Sequence, residues 1–152
     1  MAEKKQAPLN KLLTIYFYHT RLTRESYEEW KEYKFPGHIL YGLPLLENYG
    51  IHSVMHKCKY FSSRLKLMFY ATKEILFCKE KYDMIYATSF RGIEPVIFLR
   101  ALGLYRKPIV IWHHTAVVTN PKPWREQISR LFYKGIDQMF LFSRKLIQDS
   151  QK

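Results

Sequence analysis

Cysteine, acidic residues and long apolar runs are all scarce in this 152-residue chain, and each shortage removes a class of protein. Two cysteines, Cys58 and Cys78, are too few for a disulfide framework, and neither stands in a metal-ligand spacing. Both are expected to be reduced and buried, and no metal site is expected. No run approaches the roughly 20 apolar residues needed to span a bilayer. The first ten residues carry lysines, but only a short apolar run follows and no small-residue cleavage site. They read as a flexible segment, 1–10, and not as a signal peptide. The glycine signatures are missing as well: there is no G-x-G-x-x-G after the first strand, no G-x-x-x-x-G-K-[ST] and no G-x-S-x-G. A conventional NAD-binding domain, a P-loop NTPase and an α/β-hydrolase are therefore disfavoured. His113 and His114, with no carboxylate nearby, do not make a zinc site on spacing alone.

What remains is ordinary in size and unusual in charge. The hydrophobic content of 47% suits one compact domain, here 11–152. Thirteen acidic residues against 25 basic ones leave a net charge of +12, which favours contact with phosphates of nucleic acid or of anionic lipid. A cytoplasmic protein, peripheral on the inner face of the cell membrane, is the expectation.

Strand and helix patterns alternate along the chain. Residues 12–18 (LLTIYFY) read as the first strand, ending at His19 and Thr20. The stretch 21–37 mixes both charge signs with Tyr27, Trp30, Tyr33 and Phe35, and Ser26 with Glu29 has the spacing of a capping box. It is either a substrate or partner loop or a surface helix whose aromatics pack down. Residues 38–49 are helical in pattern, kinked or restarted at Pro44 and closed by Gly50. A short second strand spans 51–56. The third, 83–87 (DMIYA), opens into Thr88-Ser89-Phe90-Arg91-Gly92. A helix with Pro95 in its first turn and Gly103 past its end follows, so Ser89, Arg91 and nearby amides lie at a helix N-terminus suited to an anion. The fourth strand, Lys107-Pro108-Ile109-Val110-Ile111-Trp112, is a β-branched run buried on both faces and stopped by His113, His114 and Thr115. A helix over 123–133 and a fifth strand over 136–142 lead to Ser143 and Arg144.

This alternation implies an α/β fold: a Rossmann-like, doubly wound parallel sheet in an αβα sandwich, most simply in strand order 3-2-1-4-5. In that order the first and fourth strands are neighbours, and His19, Thr20, His113 and His114 flank the crevice between their carboxyl ends. Ligands of such sheets bind beyond those ends. Four of the five strands end in residues able to hold something polar: His19 and Thr20; Thr88, Ser89 and Arg91; His113, His114 and Thr115; Ser143 and Arg144.

The helix 64–81 carries a second feature. Leu65, Met68, Phe69, Thr72, Ile75 and Leu76 form a broad apolar stripe expected to cover the sheet. On the other side Lys66, Tyr70, Lys73, Phe77 and Lys81 recur at helical spacing, a basic-aromatic face suited to an anionic membrane surface. A solvated face with two aromatics packed on a neighbour is the plainer alternative.

The order and spacing of Tyr82–Thr88, Leu99–Gly103, Lys107–His114 and Gly135–Ser143 resemble the N-terminal, acceptor-side domain of the family-four retaining glycosyltransferases with the two-Rossmann-domain (GT-B) fold. The match is good over 82–150 and weaker over 12–56. The resemblance implies a sugar transferred from a nucleotide-sugar donor, a co-substrate and not a resident cofactor, to a glycan or lipid-linked acceptor in surface polysaccharide or glycolipid synthesis. It also implies a second, donor-binding C-terminal domain, which nothing in this chain matches, so the chain alone is expected to be inactive. By the same resemblance His114, with His113 as second choice, is the catalytic-cleft histidine that contacts the donor sugar, and Ser143 matches the serine after the fifth strand. The chain departs from the family in having Thr88 where many relatives have histidine, and in lacking a glycine pair after the first strand. The alternative function is a non-catalytic Rossmann-type binding module for a phosphorylated ligand or nucleic acid. No nucleic-acid motif is present, and nucleic acid is not the expected partner.

Overall fold

A computed structural model of the chain describes residues 13–20, 24–34, 36–113, 122–141, 143–145 and 147. Five strands, β1 (Leu13–Tyr18), β2 (Ile51–Met55), β3 (Met84–Ala87), β4 (Ile109–His113) and β5 (Gln138–Leu141), form one wholly parallel sheet. The helices are α1 (Arg24–Lys31), α2 (Leu43–Leu46), α3 (Arg64–Leu76), α4 (Glu94–Ala101) and α5 (Pro123–Lys134), with short 3-10 turns at Gly37–Leu40 and Glu47–Tyr49. The α/β, Rossmann-like class expected from the alternation is the one observed.

The strand order is β2-β1-β3-β4-β5 and not 3-2-1-4-5. β3 lies between β1 and β4, so the expected crevice between β1 and β4 does not exist. The chain reverses direction across the sheet between β1 and β3 instead. Handedness cannot choose between the two orders, since both are built from right-handed crossovers. Burial does choose. Ile85 and Ala87 of β3 are fully buried on one face, and Met84 and Tyr86 pack on the other. β2 carries an exposed His52 and sits at an edge.

Each face has its own core. On one side Tyr16, Tyr18, Val54, Ile85, Ile109 and Ile111 meet Ala71 and Ile75 of α3 and Val96 and Ile97 of α4. On the other, Ile15 and Phe17 meet Tyr27, Leu40 and Leu43, with Trp30 packed alongside. The aromatic stretch after β1 thus forms a helix that packs down through Tyr27 and Trp30, while Tyr33 stays exposed. The next helical pattern breaks before Pro44, at Tyr41 (φ 50°) and Gly42 (φ 77°), and restarts with Pro44 in the first turn of α2.

Two aspartates fix the lower edge of the sheet by one device used twice. Asp83 donates its N–H to the Thr14 carbonyl at 2.7 Å and accepts the Thr14 N–H on its carboxylate at 2.9 Å. Asp137 does the same to Ile109, at 2.9 and 2.8 Å, while Arg100 donates to its carboxylate at 2.6 and 3.1 Å. The Arg100 guanidinium and the Ile109 amide hold the Asp137 carboxyl below the usual carboxylate range.

The face of α3 turned to the sheet differs from the expected one. Leu67, Ala71 and Ile75 are buried, whereas Leu65, Phe69 and Leu76 point to solvent. Contacts outside the helix set this rotation: Arg64 donates to Glu94 at 2.6 Å, Leu67 packs beneath the loop at Gly92, and Ala71 lets the helix lie close. The helix ends at Leu76, so Lys81 lies beyond it. Neither thiol is fully buried; Cys58 and Cys78 are free and half-buried.

Candidate functional site

The carboxyl rim of the sheet is level. Tyr18, Ala87, Ile111 and Met139 stand in register across four strands, and the Thr88 N–H extends the ladder by donating to the Tyr18 carbonyl at 3.1 Å. Above this row the chain presents His19 and Thr20 after β1, Ser89 and Arg91 after β3, and Ser143 and Arg144 after β5. His19 is half-buried, with its ring 5.4 Å from that of Tyr41, and Thr20 is half-buried beside it. Arg91, Ser143 and Arg144 are exposed. His114 and Thr115 lie outside the described residues.

His113, the last residue of β4, is buried, with its ring 5.0 Å from that of Phe90, which packs in turn on Phe132. Thr88 is likewise buried. Both belong to the floor of the rim.

The loop after β3 is held from several directions. The Ser89 hydroxyl oxygen accepts the Arg91 N–H at 3.1 Å, and the fully buried Tyr18 donates its hydroxyl to the Arg91 carbonyl at 2.7 Å. Gly92, at φ +98°, has no room for a side chain: a Cβ there would lie 2.3 Å from the Tyr18 hydroxyl and 3.0 Å from Leu67 Cγ. The start of α4, read from sequence as an anion site, already carries an anion of the chain's own. The buried Glu94 carboxylate accepts the Gly92 N–H at 2.5 Å and pairs with Arg64 at 2.6 Å. One amide and one arginine at this helix start are thus satisfied by a carboxylate of the chain itself. Glu94 was visible in the sequence as an acid in the first turn; its distant partner Arg64 was not.

A second feature missed in the sequence is His56, just after β2. It is buried and shares a hydrogen bond of 2.8 Å between its Nδ1 and the Tyr16 hydroxyl, with the Tyr18 and Tyr70 rings 4.8 and 5.7 Å away. Burial pushes its pKa from 6.5 down to about 4. Above pH 6.5 the ring is neutral in the folded and unfolded chain alike. Between 6.5 and 4 the unfolded chain takes up a proton that the folded chain refuses, so stability falls through that window. The loss comes to about 3 kcal/mol and levels off below pH 4. Denaturant unfolding at pH 7.5 and 4.5 measures it, and His56→Gln, which keeps a partner for Tyr16, should flatten the slope.

Of the face read as basic and aromatic, Lys66, Lys73 and Phe77 are exposed. Tyr70 is not part of it. Its hydroxyl donates to the Lys57 carbonyl at 2.8 Å and its ring packs on His56 and Phe61. The outward face of α3 is instead Leu65, Lys66, Phe69, Lys73 and Leu76, followed by Phe77. At 100° per residue these six span a third of the circumference. Among the described residues no group of three or more His, Cys, Asp or Glu could hold a metal ion, and no helix is long and apolar enough to cross a membrane. Comparison with family models, curated proteins and solved structures finds no match.

Proposed function

We propose that this chain is the acceptor-side domain of a retaining glycosyltransferase, which moves a sugar from a nucleotide-sugar donor to a glycan or lipid-linked acceptor at an anionic membrane face. The observation that carries the proposal is the row of polar groups along the carboxyl rim of a parallel sheet, where open α/β folds bind ligands. It occurs in a chain whose strand-end segments resemble that family. The test is a transfer assay on a complete enzyme containing this sequence, with the anomeric configuration of the product read by NMR. Retention at the donor carbon is the expected result; inversion, or no transfer to any lipid-linked or glycan acceptor, would remove the proposal. A binding module for a phosphorylated ligand or nucleic acid rests on net charge, and the Glu94 carboxylate at the start of α4 works against an anion there.

The membrane side of the proposal draws on α3. Leu65 and Phe69 are 70% and 83% exposed, with Lys66 and Lys73 to one side of them on the helix surface, an arrangement that suits a helix lying in the headgroup layer. Each apolar side chain buried there contributes roughly 1–2 kcal/mol and each lysine about 1 kcal/mol, enough together for reversible docking. The chain is expected to cosediment with vesicles rich in anionic lipid at low salt. Lys66→Glu with Lys73→Glu should abolish sedimentation, and Lys81→Glu, beyond the helix end, should change it little. Equal binding to uncharged vesicles would sink the idea.

A further inference from the structure

Charge is divided unevenly between the two ends of the sheet. The four connections that leave the carboxyl ends of β1 to β4, residues 19–23, 56–63, 88–93 and 114–122, hold five basic residues and no acidic one. The segments that lead into the amino ends of β2 to β5, residues 32–50, 77–83, 102–108 and 135–137, hold five of each sign. The first turns of α1, α3, α4 and α5 do not redress this. They add four basic residues and three acidic ones, of which Glu94 is buried against Arg64. Of the two ends, the positive excess falls at the one where a parallel sheet takes its ligands.

Three of these connections meet around the end of β1. The Cys58 thiol donates to the His19 carbonyl at 3.6 Å, and the Tyr18 hydroxyl donates to the Arg91 carbonyl at 2.7 Å. Lys57 and Lys59 therefore stand on one side of His19 and Arg91 on the other, with the ends of β2, β1 and β3 spread over about 10 Å. All three cations are exposed, and none is in an ion pair among the described residues. The chain reverses direction across the sheet between β1 and β3, the switch point at which doubly wound sheets bind ligands. Glu94 already occupies the start of α4, so an anion here is met by side chains. The connection 56–63 also carries Tyr60, 94% exposed, and runs directly into the turn of α3 that bears Leu65. An exposed aromatic ring with a polar tip suits a membrane interface. We infer that the rim over β1 holds the terminal phosphate of a lipid, bound by Lys57, Lys59 and Arg91, while Tyr60 and α3 rest on the bilayer that carries it. That this lipid is the sugar acceptor rests on the transferase reading proposed above; the phosphate site does not.

Vesicle binding by the whole chain tests this with no donor and no transfer, so failure of the phosphate site and failure of the transferase reading give different results. The probes are phosphatidylcholine vesicles doped with phosphatidic acid, whose phosphate is terminal, or with phosphatidylglycerol at equal surface charge, whose phosphate is not. Binding to phosphatidic acid is expected to be tighter by about fivefold. Lys57→Gln with Arg91→Gln should remove that preference. Lys81→Gln with Arg106→Gln takes the same charge from exposed positions at the amino end and should keep it. The Tyr70 and Tyr18 hydroxyls bond to the carbonyls of Lys57 and Arg91, so the rim variants leave both connections anchored. Inorganic pyrophosphate separates the two sources of phosphate. If it binds through the rim cations while phosphatidic acid gains nothing over phosphatidylglycerol, the site belongs to a soluble phosphate and the lipid inference is overturned. Equal losses from the two double variants would show attraction to net charge alone and would overturn it as well.

Discussion

Gly92→Ala should lower the stability of the chain by about 4 kcal/mol and its thermal midpoint by roughly 10 °C. Two costs combine. A left-handed backbone at φ +98° charges any residue with a Cβ about 1–2 kcal/mol. The new methyl must also displace the Tyr18 hydroxyl, which is fully buried and tied to the Arg91 carbonyl, and press on Leu67 of α3. Overpacking of that kind costs typically 1–3 kcal/mol. Gly103→Ala separates the two. Gly103 also has a left-handed φ, of +76°, yet nothing lies within 4 Å of its Cβ position, so only the backbone cost should appear there. In a Tyr18→Phe background, where the clashing oxygen is gone, the penalty of Gly92→Ala should shrink. Equal melting points for Gly92→Ala and Gly103→Ala would show that the loop gives way without cost.

On the transferase reading proposed above, His114→Ala in a complete enzyme containing this sequence should reduce turnover by about tenfold to a thousandfold, the loss typical of removing one donor to a transition state. The adjacent imidazole cannot stand in for it. His113 is committed to the core beside Phe90, so His113→Ala should act on stability and leave a measurable melting-point loss. The pair of variants therefore separates chemistry from architecture. Turnover should fall at an unchanged melting temperature for His114, and the melting temperature itself should fall for His113. Wild-type turnover in His114→Ala would remove the assignment.

The alternation of strands and helices could be read directly, because periods of two and of three to four leave their mark on every segment between turn residues. Gly50 as a helix stop and Pro44 as a restart followed from backbone preference alone. The strand order could not be deduced the same way, since it depends on which strand is covered on both faces. The polar His52 in β2, set against the fully apolar Met84–Ala87, was the available clue. The rotation of α3 escaped because apolar residues ring that helix almost completely. With Leu65, Phe69 and Leu76 as hydrophobic as Leu67 and Ile75, only tertiary partners such as Glu94 and Gly92 decide which side faces inward. At the rim the polar groups were legible residue by residue, whereas burial of Thr88 and His113, and of Glu94 against a distant arginine, emerges only from packing.

The paired aspartates at the lower edge also govern the upper one. Asp83 locks β3 to β1, and Asp137 locks β5 to β4, each by a carboxylate that would lose its amide if the strand slipped. Strands are stiff, and their residues advance by a fixed step of about 3.3 Å. A register set at Thr14 and Ile109 is therefore transmitted unchanged to Tyr18, Ala87 and Ile111 at the far end. The height at which polar side chains stand over the sheet is thus levelled from beneath, by two carboxylates a full strand length away. A change at either aspartate should shift the heights of rim side chains that neither residue can reach.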